Sequence, residues 1–312
     1  MVATISQLAS TKVGYDIAFP NLGIFITNLR NTITIGNFTI AYYGIIIAIG
    51  MLISFTVVSK LAKKIGIDDD IFYDIFIIVI VFGIIGARAY YVIFRWDYYQ
   101  IRPYEILDVR AGGLAVFGGI ILAGAAIVAY CIWKKINFLK ILDLTMIGVT
   151  LGQAIGRYGN FFNMEAFGEY TNNLLAMRMR TMYLDPASIT FTQSINTITE
   201  NGIEYIQAHP TFLYESTLNL ILFAALIYIL LKKHKFDGQI LATYLIGYGV
   251  IRFFVEMLRT DSLMMGNLKV SQIVAVICVL AGIVIYVLHY KKIEPFKKVA
   301  KISKSMKKKK EV

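Results

Sequence analysis

Residues 71–94 read IFYDIFIIVIVFGIIGARAYYVIF, a stretch of 24 residues that carries two charges, Asp74 and Arg88. A bilayer core about 30 Å thick is crossed by roughly 20 apolar residues wound as a helix. This stretch is long enough to cross. Six runs of the same character accompany it, at about 41–60, 113–133, 141–158, 212–231, 239–259 and 269–290. The run at 141–158 is the shortest and ends in a polar motif. Short polar connections separate the runs, except at about 159–211, where Asn, Thr and Arg recur and hydrophobicity alternates weakly. The pattern predicts an all-α polytopic membrane protein with about seven transmembrane helices and a small extracytoplasmic head that is partly strand. No internal repeat or linker marks a second domain. Residues 1–290 therefore read as one membrane domain with the head inserted at about 159–211, and residues 291–312 as a lysine-rich tail.

Composition agrees with the runs. Of 312 residues 57% are hydrophobic and 16% charged, with a formal net charge of +11. Soluble domains average about 45–50% apolar and about 25% charged. Both departures are the ones a bilayer imposes, and they exclude a disordered chain, a disulfide scaffold and an ordinary cytosolic enzyme. Cys131 and Cys278 lie far apart in apolar runs, so they indicate neither a disulfide framework nor a metal site. There is no nucleotide loop, zinc signature or Gly-x-Ser-x-Gly elbow, which argues against ATP chemistry, metal hydrolysis and a serine hydrolase.

Basic residues orient the chain, because Lys and Arg accumulate in cytoplasmic loops. One side holds Lys60, Lys63, Lys64, Lys134, Lys135, Lys140, Lys232, Lys233, Lys235 and ten lysines of the tail, 19 in all. The other side holds 10, namely Lys12, Arg30, Arg95, Arg102, Arg110, Arg157, Arg178, Arg180, Arg259 and Lys269. The first side is expected to be cytoplasmic. The N-terminus and the head are then outside and the C-terminus inside. No signal peptide fits residues 1–40. The tail, Lys297 to Lys310, would lie against the anionic inner leaflet, as a topology anchor or a specific lipid or protein contact.

A charged side chain inside a span costs at least about 2.5–3.5 kcal/mol on insertion scales. With this orientation, Arg88, Arg157 and Arg252 all fall in the outer half of their spans. Tyr43 opens the first span and His209 precedes the fifth. Tyr248, Arg252, Glu256 and Arg259 recur at helical spacing and share one face. That face is either an ion-pair network that sets packing or part of a ligand site. The densest polar segment is Gly156-Arg157-Tyr158-Gly159-Asn160-Phe161-Phe162-Asn163-Met164-Glu165-Ala166-Phe167-Gly168. Arg157 and Asn160 are one helical turn apart. Gly156, Gly159 and Gly168 permit close backbone approach or a turn at positive φ. Arginine offers a planar fork of donors that suits phosphate, and at this depth the available anion is a phospholipid head group. A capped helix end is the alternative. The paired glycines Gly112-Gly113 and Gly118-Gly119 read as helix packing or as a smooth wall for a lipid tail. His209-Pro210-Thr211 opens the fifth span, and His209 is a cap, a proton acceptor or a head-group ligand.

Gly156-Arg157-x-Gly-Asn160-Phe-x-Asn163-x-Glu165-x-Phe-Gly168 resembles the signature of the prolipoprotein diacylglyceryl transferase family. Tyr43-Gly44, Gly86-Ala-Arg88, Gly112-Gly113-Leu114 with Gly118-Gly119, His209-Pro210-Thr211-x-x-Tyr214-Glu215 and Gly247-Tyr248-Gly249-x-x-Arg252-x-x-x-Glu256-x-x-Arg259 match in the same order. The first 38 residues, most of the head and the tail match poorly. The resemblance implies a multi-pass enzyme of the bacterial inner (cytoplasmic) membrane. Its substrates would be phosphatidylglycerol and the signal peptides of prolipoproteins with a lipobox cysteine, within a shell of membrane lipids. No metal, cofactor or nucleic acid is implied. The diacylglyceryl group would pass to the cysteine sulfur as a thioether, with release of glycerol phosphate.

Carried onto this chain, the resemblance makes Arg157 and Arg252 a clamp on the departing phosphate. Asn160 and Tyr248 would orient the head group or the arginines, and Glu165 and Glu256 would hold the arginines. Asn163, Gly168, Gly118, Gly119, Arg88 and Arg259 complete the substrate-binding candidates. Many members carry His before the Gly-Gly of the third span, where this chain has Phe117. Phe117 takes no proton, so His209, Tyr43 or Glu165 serves as base, or none is needed. The other function class that intramembrane arginines suit is a transporter or flippase of an anionic lipid or solute. Such a protein is expected to show inverted repeats and mid-membrane polar positions, and no repeat is evident.

Overall fold

The computed structural model of the protein describes residues 14–291 apart from Asn37, Arg110 and Ala111. Lys12, Arg110 and the tail beyond Lys291 lie outside the described residues. Seven described helices are long and apolar enough to cross a membrane. They are α1 (Tyr42–Lys64), α2 (Asp69–Phe94), α3 (Val116–Lys134), α4 (Phe138–Asn163), α5 (Thr211–Tyr228), α6 (Gln239–Leu258) and α7 (Val270–Tyr290). A π-type turn, Ile229–Lys233, prolongs α5. Each helix falls on one of the predicted runs, and the chain is a mostly helical, multi-pass membrane protein. The largest boundary error is α4, expected at about 141–158 but extending to Asn163. The first part of the polar motif, Gly156 to Asn163, is helix, and the helix ends inside the motif.

The chain forms two compact units. One comprises the chain up to Ser54 together with Met146–Val287, and the other Phe55–Thr145 with the chain from Leu288.

In the second unit, α2 and α3 interlock through glycine. A Cβ built on Gly119 would lie 2.8 Å from the Gly83 carbonyl oxygen, and one on Gly86 would lie 2.6 Å from Leu122 Cβ. Gly118 faces the Gly86 carbonyl and Tyr90 in the same way. Small residues thus let the two backbones touch, the device membrane helices use in place of a hydrophobic driving force. Gly119→Val is expected to cost about 1–3 kcal/mol by overpacking against a backbone oxygen that cannot yield. The measurement is the thermal unfolding midpoint in detergent, and an unchanged midpoint would contradict the close approach. Both charges of residues 71–94 find partners within this unit. The Tyr130 hydroxyl donates to Asp74, whose other neighbour is Lys134 at 4.0 Å. Arg88 is buried and donates to four backbone carbonyls, of Ile106 (2.7 Å), Glu105 (2.6 Å), Gly112 (2.9 Å) and Gly113 (3.0 Å). Its guanidinium also lies 5.2 Å from the Tyr99 ring centroid.

The first unit carries the head, a five-stranded antiparallel sheet in the order β2-β1-β5-β7-β6. β5 (Met177–Arg180), β6 (Ile198–Glu200) and β7 (Ile203–Ala208) come from the insertion. β1 (Ile17–Phe19) and β2 (Ile24–Ile26) come from the N-terminal segment, which sequence reading left out of the head. Alternate residues of the central strands build its core. Ile17, Phe19, Met177, Met179, Ile206 and Ala208 pack with Met164 and Phe167, which follow α4, and with Phe212 of α5. The head is thereby bolted to the ends of α4 and α5. A separate ribbon, β3 (Thr32–Ile35) and β4 (Phe38–Ala41), leads into α1. A short pair, β8 (Met264–Met265) and β9 (Leu268–Lys269), joins α6 to α7.

Candidate active site

The site lies where α4 and α6 end and α5 begins, all in the first unit. Gly156 and Gly159 do not turn the chain here. They sit within α4, where a Cβ on Gly159 would come within 2.7 Å of Tyr43 Cε2 and one on Gly156 within 3.2 Å of Ile47 Cδ1. Glycine at these positions lets α1 lie against α4. The positive φ values come later, at Met164 (50°) and Ala166 (57°). These are uncommon conformations for residues with a Cβ, and such residues persist where their surroundings over-determine them.

Those surroundings form a three-way stitch. The Gly168 N–H donates to the His209 carbonyl (2.9 Å), and the His209 N–H donates to the Glu169 carbonyl (3.0 Å). The Glu169 N–H donates to the Leu258 carbonyl (2.9 Å). The Thr211 hydroxyl donates to the Ala166 carbonyl, and Gln193 Nε2 to the Gly168 carbonyl at 2.8 Å. A Cβ on Gly168 would sit 2.8 Å from the Leu258 oxygen and 2.9 Å from His209 Cβ. Lys269 Nζ closes the end of α6 by donating to the carbonyls of Glu256 and Arg259, each at 2.7 Å.

Inside this frame lies an ion network on three helices. Arg157 Nη2 is 2.8 Å from Glu215 Oε1, and Arg252 Nη1 is 3.2 Å from Glu215 Oε2. One carboxylate of α5 therefore spans an arginine of α4 and one of α6. Arg252 Nη2 lies 2.7 Å from Glu256 Oε2 and donates to Ser271 Oγ at 3.3 Å. Arg157 Nη1 donates to Asn160 Oδ1 (3.1 Å), and Asn160 Nδ2 donates to Glu165 Oε1 (2.8 Å). Asn163 Nδ2 reaches the same Glu165 oxygen at 3.4 Å. The Tyr248 ring stacks on Tyr244 with centroids 5.5 Å apart. One turn deeper on α4, Gln153 Nε2 donates to the Tyr244 hydroxyl at 3.0 Å. Tyr43 lies within the fields of Arg157 and Glu165.

Exposure orders the two signs. Glu215 and Glu256 are 2% and 1% exposed, whereas Arg157 and Arg252 are 20% and 15% exposed. The carboxylates are sealed behind, and the guanidinium groups form the accessible edge. An incoming anion meets arginine first. Charge-assisted, planar donors are what a phosphate oxygen requires.

Most sequence-predicted positions meet here: Arg157, Arg252, Asn160, Asn163, Glu165, Tyr248, Glu256 and Tyr43. Glu165 reaches the arginines only through Asn160 rather than by direct pairing. Arg259 leaves the shared face at the end of α6 and makes a two-pronged pair with Asp261, both contacts at 2.9 Å. Arg88 belongs to the other unit, its guanidinium engaged by backbone carbonyls. Gly118 and Gly119 of α3 pack against α2. Phe117 is exposed in the first turn of α3. Glu215 is the residue that sequence reasoning passed over, although it stood in a quoted motif. A carboxylate buried in an apolar run is itself the signal.

His209 Nδ1 lies 3.3 Å from the Tyr214 hydroxyl, which accepts from Asn173 Nδ2 at 3.0 Å. Burial pushes the His209 pKa below the ordinary histidine value. The unfolded chain then takes up a proton, from about pH 6.5 downward, that folded His209 refuses until a lower pH. Stability due to this group is full above that value and is lost as pH falls toward the folded pKa. His209→Gln is expected to flatten the acid side of a plot of thermal midpoint against pH. An unchanged slope would contradict a neutral, half-buried His209.

A family model described as prolipoprotein diacylglyceryl transferase matches residues 30–288. Among curated proteins, one from Finegoldia magna is 42% identical over 264 residues, covering 85% of this chain and 97% of its own. One from Clostridioides difficile is 40% identical over 263 residues, covering 84% and 96%. One from Bacillus cytotoxicus is 40% identical over 265 residues, covering 84% and 92%. Each is named phosphatidylglycerol–prolipoprotein diacylglyceryl transferase.

Proposed function

The chain belongs to the prolipoprotein diacylglyceryl transferase family, and from that premise we propose that its buried arginine pair carries the transfer. It is a membrane transferase that takes the diacylglyceryl group from phosphatidylglycerol and gives it to prolipoprotein, the first step of lipoprotein maturation. The acceptor is the lipobox cysteine of the signal peptide. Its sulfur attacks the glycerol carbon that bears the phosphate. A carbon–sulfur bond forms, a carbon–oxygen bond breaks, and glycerol phosphate leaves.

The observation that supports this assignment is the Glu215-bridged pair of Arg157 and Arg252. As the carbon–oxygen bond breaks, negative charge grows on the phosphate oxygen. Guanidinium groups already fixed by Glu215, Glu256 and Asn160 stabilise that charge without reorganising, and Tyr248 orients the head group. The thiol must also lose its proton. With a pKa of about 8.5, a free cysteine is mostly protonated at neutral pH. His209, neutral and adjacent to the Gly168 turn, is the acceptor favoured here, with Tyr43 and Glu165 as the other groups in the unit. His209→Gln is expected to slow transfer between about pH 6 and 8, and full activity throughout that range would exclude it. Gly168 holds the loop, and Asn163 steadies Glu165. Arg259 and Arg88 act by positioning, through Asp261 and through the carbonyls of Glu105, Ile106, Gly112 and Gly113.

Residues 1–290 make up the transferase domain in this reading, within the cell membrane of a bacterium. The head and the N-terminus face outward, and the lysine-rich tail faces the cytoplasm. The test uses purified protein in nanodiscs with phosphatidylglycerol and a lipobox peptide bearing Cys, or Ser in its place. Glycerol phosphate release and a diacylglyceryl gain in peptide mass are expected with Cys only. Release that does not depend on Cys, or no mass gain in a folded sample, would overturn the assignment.

A further inference from the structure

The ribbon β3–β4 has two unlike faces. Its register opposes Ile33 to Ile40 and Ile35 to Phe38, and alternates these with Thr32–Ala41 and Thr34–Thr39. Directly opposed residues in an antiparallel pair project to the same face. One face is therefore Ile33, Ile35, Phe38 and Ile40. On the other, the Thr34 and Thr39 hydroxyls lie 3.3 Å apart. All four apolar side chains are exposed, Ile35 by 64% and Phe38 by 61%. A lone two-stranded ribbon is marginal in water, and one with an uncovered apolar face is worse placed still.

The ribbon has no linker. Ala41 is followed at once by Tyr42, the first residue of α1, and the Tyr42 N–H donates to the Asn31 carbonyl at 2.9 Å, pinning the base of the ribbon to the helix start. The exposed large apolar side chains of α1 are Ile47, Ile49, Leu52 and Ile53, as suits a helix that crosses a membrane. The ribbon therefore stands directly at the end of a helix long and apolar enough to cross a membrane. Arg30 is exposed beside the same base. A second protein copy fits poorly. Four residues of strand span about 13 Å, and so small a face is far below the roughly 800 Å² per partner of a stable interface.

We propose that β3–β4 is a lipid-interface anchor, its Ile33, Ile35, Phe38 and Ile40 face resting on the acyl chains where α1 leaves the bilayer. It fixes the height of Tyr43, and hence of Gly159 beside it, against the leaflet that supplies the lipid substrate. The proposal rests on the membrane crossing of α1 and is independent of the transfer chemistry.

The test places nitroxide labels on the full chain in nanodiscs of phosphatidylglycerol and phosphatidylcholine. Ile35→Cys, Phe38→Cys, Thr34→Cys and Thr39→Cys are made in a background with Cys131→Ser and Cys278→Ser, and monodisperse elution with a retained thermal unfolding midpoint confirms folding. Oxygen, which partitions into lipid, is compared with a water-soluble nickel complex. Labels at 35 and 38 are expected to favour oxygen several-fold over labels at 34 and 39. Equal nickel access at all four would put the ribbon in water, and shielding of 35 and 38 from both reagents would put protein on it. Either result overturns the proposal. If a label at 35 or 38 prevents folding, Ile33→Cys and Ile40→Cys report on the same face.

Discussion

Alanine at Arg157 or Arg252 is expected to lower the turnover of glycerol phosphate release by about 10²–10³-fold, the range seen when one preorganised charge-stabilising donor is removed. Each arginine contacts at least two fixed groups and presents its remaining donors at the accessible edge. Its loss removes charge where the phosphate leaves; loss of Arg252 also orphans the buried Glu256, whereas loss of Arg157 leaves Glu215 with Arg252 as its one arginine. Lysine separates these effects. It restores the charge as a point and loses the planar fork, so at least about a tenfold deficit, or 1.4 kcal/mol, is expected to remain. The deficit should appear in kcat more than in KM for the lipid, because the second phosphate charge exists only as the bond breaks.

Glu215→Gln is expected to be nearly as damaging, by a different route. Glutamine keeps the shape and removes the charge that stands between two cations. Breaking a buried ion pair from one side costs about 3–5 kcal/mol, which should appear as a large fall in the thermal midpoint. The folded fraction should turn over about 100-fold more slowly, equivalent to about 2.7 kcal/mol, because the guanidinium groups repel and lose their register. Glu215→Asp keeps the charge but is one methylene short of spanning both arginines, and an intermediate effect is expected. A Glu215→Gln protein as stable and active as the parent would remove Glu215 from the clamp.

The crossings were legible in the sequence because a bilayer demands a length of apolar helix, and few other structures meet that demand. The end of α4 was not. Gly156, Gly159 and Asn160 look like a terminus until Tyr43 is seen packed on Gly159, a contact from a helix a hundred residues earlier. Strands of three residues such as β1 are set by their partners, and its partner β5 lies far along the chain. Arg157 and Arg252 stood out as intramembrane cations. Glu215 could be assigned only once three helices converged on it. In the same way, nothing in Gly86-Ala-Arg88 shows that four carbonyls await its guanidinium. Arg259 shares the spacing of Arg252 but meets Asp261, two residues on, at the end of the helix.

The most direct measurement is glycerol phosphate release by the parent, Arg157→Lys and Arg252→Lys in phosphatidylglycerol nanodiscs with the cysteine peptide, at equal folded fraction. If the arginine pair stabilises the departing phosphate, each lysine protein turns over at least about tenfold more slowly. Near-normal turnover by a correctly inserted Arg157→Lys or Arg252→Lys protein would contradict that role for the residue.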